Sequence, residues 1–268
     1  MLPDAVGITH KPAGPNTRIA TFVPSITELL IDLGLAEHLV ARTQFCIHPD
    51  DIVKKIEAIG GTKKVSVPKL KKIAPTHAIL NIDENTKEMA EALRALVPNV
   101  IVTHPIEPRD NFALYRLLGS IFGKEREADA LCSSLRGAMS ELETFTRDRP
   151  RARVCYFCWK DPWMTVSRDT YIARTLELIN LTTVRHDENV RYPEVTIDDA
   201  LIEETDFFLF SSEPYAFSAE DIATFAKTYD LPAGACVPVD GEYVSWYGSR
   251  AIDAMAYLRR FADTLTPR

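Results

Sequence analysis

Two rhythms of hydrophobic and polar positions alternate along this chain. Short continuous apolar runs rich in Val, Ile and Phe read as buried strands; stretches with apolar residues every three or four positions read as amphipathic helices. Residues 18–23 form the first run, and Pro24 followed by Ser25-Ile26-Thr27-Glu28 opens an apolar helix that ends at Gly34. Ser25 with Glu28 three residues on predicts a capping box, in which the hydroxyl accepts an amide and the carboxylate reaches back. The alternation continues with strands at 38–43, 56–59, 76–82 and 100–103, and helices at 67–73 and about 84–96. Alternating strands and helices imply a parallel sheet covered on both faces.

The middle of the chain has a different pattern. Residues 109–122 predict one helix and 124–147 a longer one, along which Leu131, Leu135, Ala138, Leu142 and Phe145 fall at helical spacing. At 1.5 Å per residue the 22 residues 124–145 of this rod would run about 33 Å, enough to bridge two lobes. Arg149-Pro150-Arg151 closes it. Strands then return at 154–159, 207–210 and 237–239, with helices near 170–179, after Thr196, after Ser218 and near 249–265. The predicted fold class is α/β, with two small parallel-sheet lobes joined by one long bridging helix and a ligand cleft between the lobes. Its expected parts are a polar leader (1–17), an N-terminal lobe (18–108), connecting helices (109–148) and a C-terminal lobe (149–268).

Open parallel sheets bind ligands beyond the carboxyl ends of their strands. Those ends fall here at 22–24, 45–48, 81–85, His104, 159–163, 211–215 and 240–247. They hold all three tryptophans, Trp159, Trp163 and Trp246, together with Phe45, Tyr215, Tyr243 and Tyr247. Core packing explains any one ring, but their joint placement predicts an aromatic-lined cleft.

Composition narrows the class. The 268 residues are 46% hydrophobic and 26% charged, as in an ordinary globular protein, and the net charge of −7 disfavours nucleic acid or anionic lipid as main partner. No apolar run approaches the ~18 residues that cross a bilayer, so membrane insertion is not expected. The first 17 residues lack the basic start and apolar block of a secretory signal, and the five cysteines are odd in number and scattered. Both features lead to the expectation of a cytoplasmic protein, with a periplasmic one as the alternative if a signal has been removed.

Few residues carry chemistry by pattern. Cys155 and Cys158 have redox or zinc spacing, but on a strand they point to opposite faces and no second pair completes a zinc site, so two inert buried thiols are expected. His48 and His104 sit at strand ends, where metal ligation and hydrogen bonding are both open. Gly60-Gly61-Thr62-Lys63 reads as a tight turn. Lys63, Lys64, Lys69, Lys71 and Lys72 read as a solvated basic face, and Asp83 and Glu84 follow in a strand-to-helix turn. There is no Gly-x-Ser-x-Gly elbow or dinucleotide fingerprint, so no catalytic residue is assigned. The enzyme alternative would use His48, Asp83, Glu84 or Glu213 as acid or base.

This layout resembles the helical-backbone (class III) substrate-binding proteins of ABC importers, in the branch called helical-backbone metal receptor or cobalamin-binding-like. The likeness runs from about residue 18 to 265. It rests on VPSITE (23–28), FCIHP (45–49), GGTK (60–63), WKDPWMTVSRDTYI (159–172), RYPEV (191–195), SSEPYAF (211–217) and DGEYVSWYGSR (240–250).

The resemblance implies a receptor, not an enzyme, for a cobalamin-like corrinoid, haem or an iron–siderophore complex carried as ligand without a covalent cofactor. A directly bound zinc or manganese ion is the alternative cargo. Trp246 and either Trp159 or Trp163 are the implied ring contacts, with Asn81, Asn85, Glu213, Tyr215 or Arg191 at the ligand's polar rim and Phe45 and His48 beside them. It also implies an ABC permease as partner, docked through acidic residues on each lobe. Asp198 or Asp199 matches on the second lobe, but the matching stretch of the first is Pro68-Lys69-Leu70-Lys71-Lys72. That reversed charge opposes docking of the usual kind and adds to the expectation of a cytosolic relative.

Overall fold

The structure is a computed structural model in which residues 2–265 are described. The chain separates into two units. The first holds the chain up to Pro105, Arg109–Ser134 and Tyr247–Arg250; the second holds Ile106–Pro108, Leu135–Trp246 and the chain from Ala251.

In unit 1 the strands are β1 (Ile19–Thr21), β2 (Leu39–Arg42), β3 (Glu57–Ala58), β4 (His77–Asn81) and β5 (Asn99–Thr103). They pair in the order β3-β2-β1-β4-β5, every pair parallel. The helices are α1 (Pro24–Asp32), α2 (Asp50–Val53), α3 (Val67–Ile73), α4 (Lys87–Arg94) and α5 (Asn111–Phe122). Ala20, Phe22, Ala41, Leu70, Leu80, Leu93 and Val102 belong to one buried cluster of this unit. All five residues of β4 are buried, which is why that strand reads as a continuous apolar run and not as an alternation.

Helix α6 (Glu125–Thr146) is the long rod, 22 residues and about 33 Å, with residues up to Ser134 counted in unit 1 and those from Leu135 in unit 2. Gly119 of α5 faces its first turn so closely that an added Cβ would lie 2.7 Å from that of Ala128.

Unit 2 contains β6 (Ala152–Phe157), α7 (Tyr171–Glu177), β7 (Leu181–Thr183), α8 (Asp199–Glu204), β8 (Phe207–Ser211), α9 (Ala219–Thr228), β9 (Cys236–Val239), α10 (Gly241–Ser245) and most of α11 (Arg250–Thr264). Its sheet runs β7-β6-β8-β9, again all parallel. Phe157, Phe208, Phe210 and Phe225 form the centre of its core. The structure thus has two parallel-sheet α/β lobes.

Several local expectations change. Ser25 and Glu28 do not form a capping box: α1 is preceded by Val23 with no side-chain cap, and Pro24, whose fixed φ suits the first helical position, sets the start. Glu28 instead receives a two-pronged hydrogen bond from Arg250, at 2.9 and 2.8 Å. Helix α4 begins at Lys87, capped by Thr86, and not near 84, because 81–85 is held as a turn. Strand β7 and helices α2 and α10 carry too little periodicity to be read, and α10 starts with glycine, a weak helix former.

The N-terminal segment is built into unit 1. Ala5 N donates to Val102 O at 2.9 Å and Val102 N donates to Asp4 Oδ2 at 3.1 Å, so the segment covers the outer edge of β5. The buried Asp4 carboxylate also accepts from Val6 N and Ile8 N and faces His10 Nε2 at 3.0 Å. Covering an edge strand removes a row of unpaired backbone groups that would otherwise template association. Asp4→Ala should therefore cost about 2–4 kcal/mol, since it strands buried donors. Urea denaturation and hydrogen exchange at the Val102 amide check this. An unchanged midpoint with full protection of that amide would refute the role given to Asp4.

Candidate functional site

Because every strand pair is parallel, each sheet delivers its strand ends to one edge, where backbone groups run out of ladder partners. In unit 1 two asparagines meet that need. Asn81, 1% exposed, accepts from Asp83 N at 2.8 Å and Glu84 N at 3.4 Å and points its Nδ2 to Thr103 Oγ1 at 3.4 Å. Asn85, 8% exposed, accepts from Asn81 N at 2.9 Å and donates to Phe22 O at 3.2 Å and Thr62 O at 2.6 Å. Both amides named as rim contacts are thus engaged with this chain's own groups. His104 Nε2 lies 3.4 Å from Asp83 Oδ1, both half-buried. His48 follows β2 and is half-buried, whereas Phe45, 50% exposed, stands beside Gly61.

In unit 2 the rings form a chain of contacts. Trp159, 40% exposed, meets Tyr215 edge to face at 5.7 Å; Tyr215 meets Phe217 at 4.6 Å; Phe217 stacks flat on Trp163 at 5.8 Å. Trp163 also contacts Phe157, Phe210 and Phe225, so it joins the core to the surface rings. Tyr243 stacks on Tyr257 at 4.8 Å. Trp246 is only 7% exposed, and its Nε1 donates to Glu213 Oε1 at 2.7 Å. Arg191 is half-buried, its guanidinium 3.8 Å from Asp169 and its carbonyl accepting from Ser167 N.

Glu213 is the centre of a polar knot. Its Oε1 accepts from Ser245 Oγ at 2.9 Å as well as from Trp246. Below it Tyr156 OH donates to Ser211 Oγ, which donates to Glu213 O at 2.6 Å. Gly241 packs here, where an added Cβ would lie 2.6 Å from Glu213 Cγ. Burial pushes the Glu213 carboxyl above its ordinary value, opposed by its two donors and assisted by the charges of Glu242 and Asp240. Ser245, Ser211 and Tyr156 were not singled out in the sequence, since serines and a buried tyrosine carry no spacing signal.

Among the described residues no group of three His, Cys, Asp or Glu could hold a metal ion, and none of the helices is long and apolar enough to cross a membrane. Among the described residues no disulfide joins any of the five cysteines. Burial pushes the Cys155 thiol up to about 12 and that of Cys158 to about 11, so both are poor nucleophiles. A cavity of about 320 Å³ lies between α9 and β9, lined by Ile222, Leu231, Cys236 and Pro238 among small residues and away from the strand-end rings.

The raised pKa of Glu213 has a defined sign. Below pH 4.5, its unperturbed value, the carboxyl is protonated folded and unfolded alike. As pH rises past 4.5 the unfolded chain loses that proton first, so the group lowers stability progressively until the folded carboxyl also ionises. Glu213→Gln should consequently gain stability relative to wild type as pH rises above 4.5, in urea titrations across pH 4 to 8. Glu28, also raised mainly by burial, leaves a remaining slope of the same sign. A pH-independent difference between the two proteins would contradict this.

Comparison with known proteins gives a consistent answer. No family model matches the chain. The uncharacterized ABC transporter substrate-binding lipoprotein YvrC of Bacillus subtilis (strain 168) is 24% identical over 179 residues, covering 64% of this chain and 56% of that protein. The match thus spans little more than half of that relative's length. The periplasmic vitamin B12 binding protein BtuF of Vibrio cholerae superposes with a TM-score of 0.79 at 17% identity, over 92% of this chain and 96% of the other. The periplasmic heme-binding protein RhuT from Roseiflexus sp. RS-1, in apo form, gives 0.78 at 19%, over 92% and 98%.

These relatives overturn the expectation of a cytoplasmic location, since they are periplasmic proteins and a lipoprotein. The thiols misled because burial, not compartment, keeps them out of disulfides: Cys46, Cys132, Cys155 and Cys158 are all buried. The chain has the two-lobed α/β fold of periplasmic binding proteins, as its motifs imply.

Proposed function

We propose that this chain is a substrate-binding component of the ABC-importer type, and that its cargo is a large ring-bearing metal complex: a corrinoid, haem or an iron–siderophore. The observation that carries this reading is the run of aromatic contacts from Trp163 through Phe217 and Tyr215 to the exposed Trp159 at the carboxyl ends of unit 2's strands. A rigid, half-exposed ring backed by packed rings offers apolar area at low entropic cost, which suits a flat, poorly hydrated ligand. The vitamin B12 and heme proteins that share the fold support the same class of cargo.

Binding chemistry also fits the carboxylate. Glu213 is held by Ser245 and Trp246, an arrangement that fixes the 240–246 segment. Delivery to a permease belongs to this reading as well. Asp198 is exposed on the second unit as the cap of α8, while the exposed α3 of the first carries Lys69, Lys71 and Lys72. Lys69 is paired with Glu57 at 3.2 Å.

Titration of the purified chain with cyanocobalamin, haem and a ferric siderophore, read by tryptophan quenching and visible absorption, tests the proposal. At least one should bind with a Kd in the micromolar range or tighter. Trp159→Ala should weaken that binding about tenfold, ~1.4 kcal/mol, with an unchanged unfolding midpoint. Trp246→Ala should lower the unfolding midpoint as well, because it leaves the half-buried Glu213 short of a donor. Absence of binding to all three ligands would reject the proposal.

A further inference from the structure

The turn between β3 and α3 is built to a fixed shape. Gly60 and Val65 form an antiparallel bridge, Gly61 N donates to Lys64 O at 2.8 Å, and Gln44 N donates to Gly60 O at 2.8 Å. Gly60 has φ of +138°, and an added Cβ would lie 2.3 Å from Lys64 O, so only glycine fits there. The buried Asn85 ties the tip of the turn to the strand ends by donating to both Thr62 O and Phe22 O. A buried amide engaged in this way fixes the turn against unit 1's carboxyl edge.

At its far corner this braced turn carries Lys63 and Lys64, both exposed. They stand apart from the other lysines of the basic stretch. Lys69 is engaged by Glu57 and Ala58 O, and Lys71 and Lys72 lie in the last turn of α3. The carboxylates on the same edge, Asp83 and Glu84, are half-buried, and Asp83 faces His104. Beside the turn stands the exposed ring of Phe45, 3.2 Å from where a Cβ of Gly61 would lie. An exposed ring beside a braced turn that carries two cations forms a complementary surface for a planar ligand that bears ionised carboxylates.

We infer that Lys63 and Lys64 select for cargo with ionised carboxylates at its rim, so that this receptor prefers an anionic ring complex to a neutral corrinoid. This inference rests on the reading of the chain as a receptor for ring-bearing complexes, and it narrows the class of cargo. Two cations in a high-dielectric setting steer and discriminate more than they bind, so the signature is a difference between charged and uncharged forms of one ligand.

The test compares haem with its dimethyl ester, in which both carboxylates are methylated and uncharged, and with cyanocobalamin, on the full chain by tryptophan quenching. Wild type should bind haem about tenfold or more tightly than the ester, and added salt should shrink that gap. Lys63→Gln with Lys64→Gln should close the gap by weakening haem alone, whereas Lys63→Arg with Lys64→Arg should keep it. Circular dichroism confirms that each variant is folded. Equal affinity of wild type for haem and ester, or a gap that survives the double Gln variant, overturns the inference while leaving the receptor reading intact. Tighter binding of cyanocobalamin than of haem does the same, and failure of all three ligands to bind overturns both.

Discussion

Parallel pairing is the constraint from which the rest follows. Neither sheet contains an antiparallel pair, so every strand must end on the same edge of its sheet and every return must cross by helix or loop. At that edge backbone amides and carbonyls leave the ladder together and must find partners. Unit 1 meets the requirement with Asn81 and Asn85, whose amides hold the backbone of Phe22, Thr62, Asp83 and Glu84. Unit 2 uses hydroxyls: Ser211 between Tyr156 and Glu213, and Ser212 accepting from Gly241 N. Short polar side chains at these ends are therefore mostly parts of the scaffold.

That division explains what could be read from the sequence. Continuous apolar runs such as Phe207–Ser211, and the heptad-like stripe of α6, were legible because burial on two faces or one stripe writes directly into residue order. The gathering of rings at strand ends was legible for the same topological reason. The partner of a polar side chain was not legible. Glu28 is three residues after Ser25, yet its carboxylate meets Arg250, 222 positions away. Asn81 and Asn85 read as rim contacts, but a local backbone that needs donors and acceptors engages them first. Spacing predicts which face a residue occupies; it does not say which of several polar groups on that face wins it.

The cysteines show a related limit. Their odd number and scatter led to the wrong compartment, because cysteine count tracks compartment only where thiols are exposed enough to pair. Cys46 is buried among Thr27 and Thr43 hydroxyls, and burial raises its pKa. Such a thiol behaves as a small apolar residue in any redox setting. Net charge averages in the same way. A total of −7 describes the whole chain, yet residues 63–72 hold five lysines and no acidic residue, and only the fold shows that these divide between the edge turn and α3.

Within unit 1, the exposed ring of Phe45 and the charges of Lys63 and Lys64 would then contribute differently to one task. Apolar contact area scales with the ring buried and is nearly indifferent to the substituents at its margin, so aromatic faces give affinity for a class of molecule. Discrimination within the class needs groups whose interaction changes sign or vanishes between candidates, and fixed charges do that at little cost in stability because they remain hydrated until a ligand arrives. For such charges to discriminate, their carrier must not move. The close backbone approach at Gly60 and the two hydrogen bonds donated by Asn85 supply that rigidity. An amide engaged with backbone, and so not offered to a ligand, is thereby what would make recognition by its exposed neighbours selective.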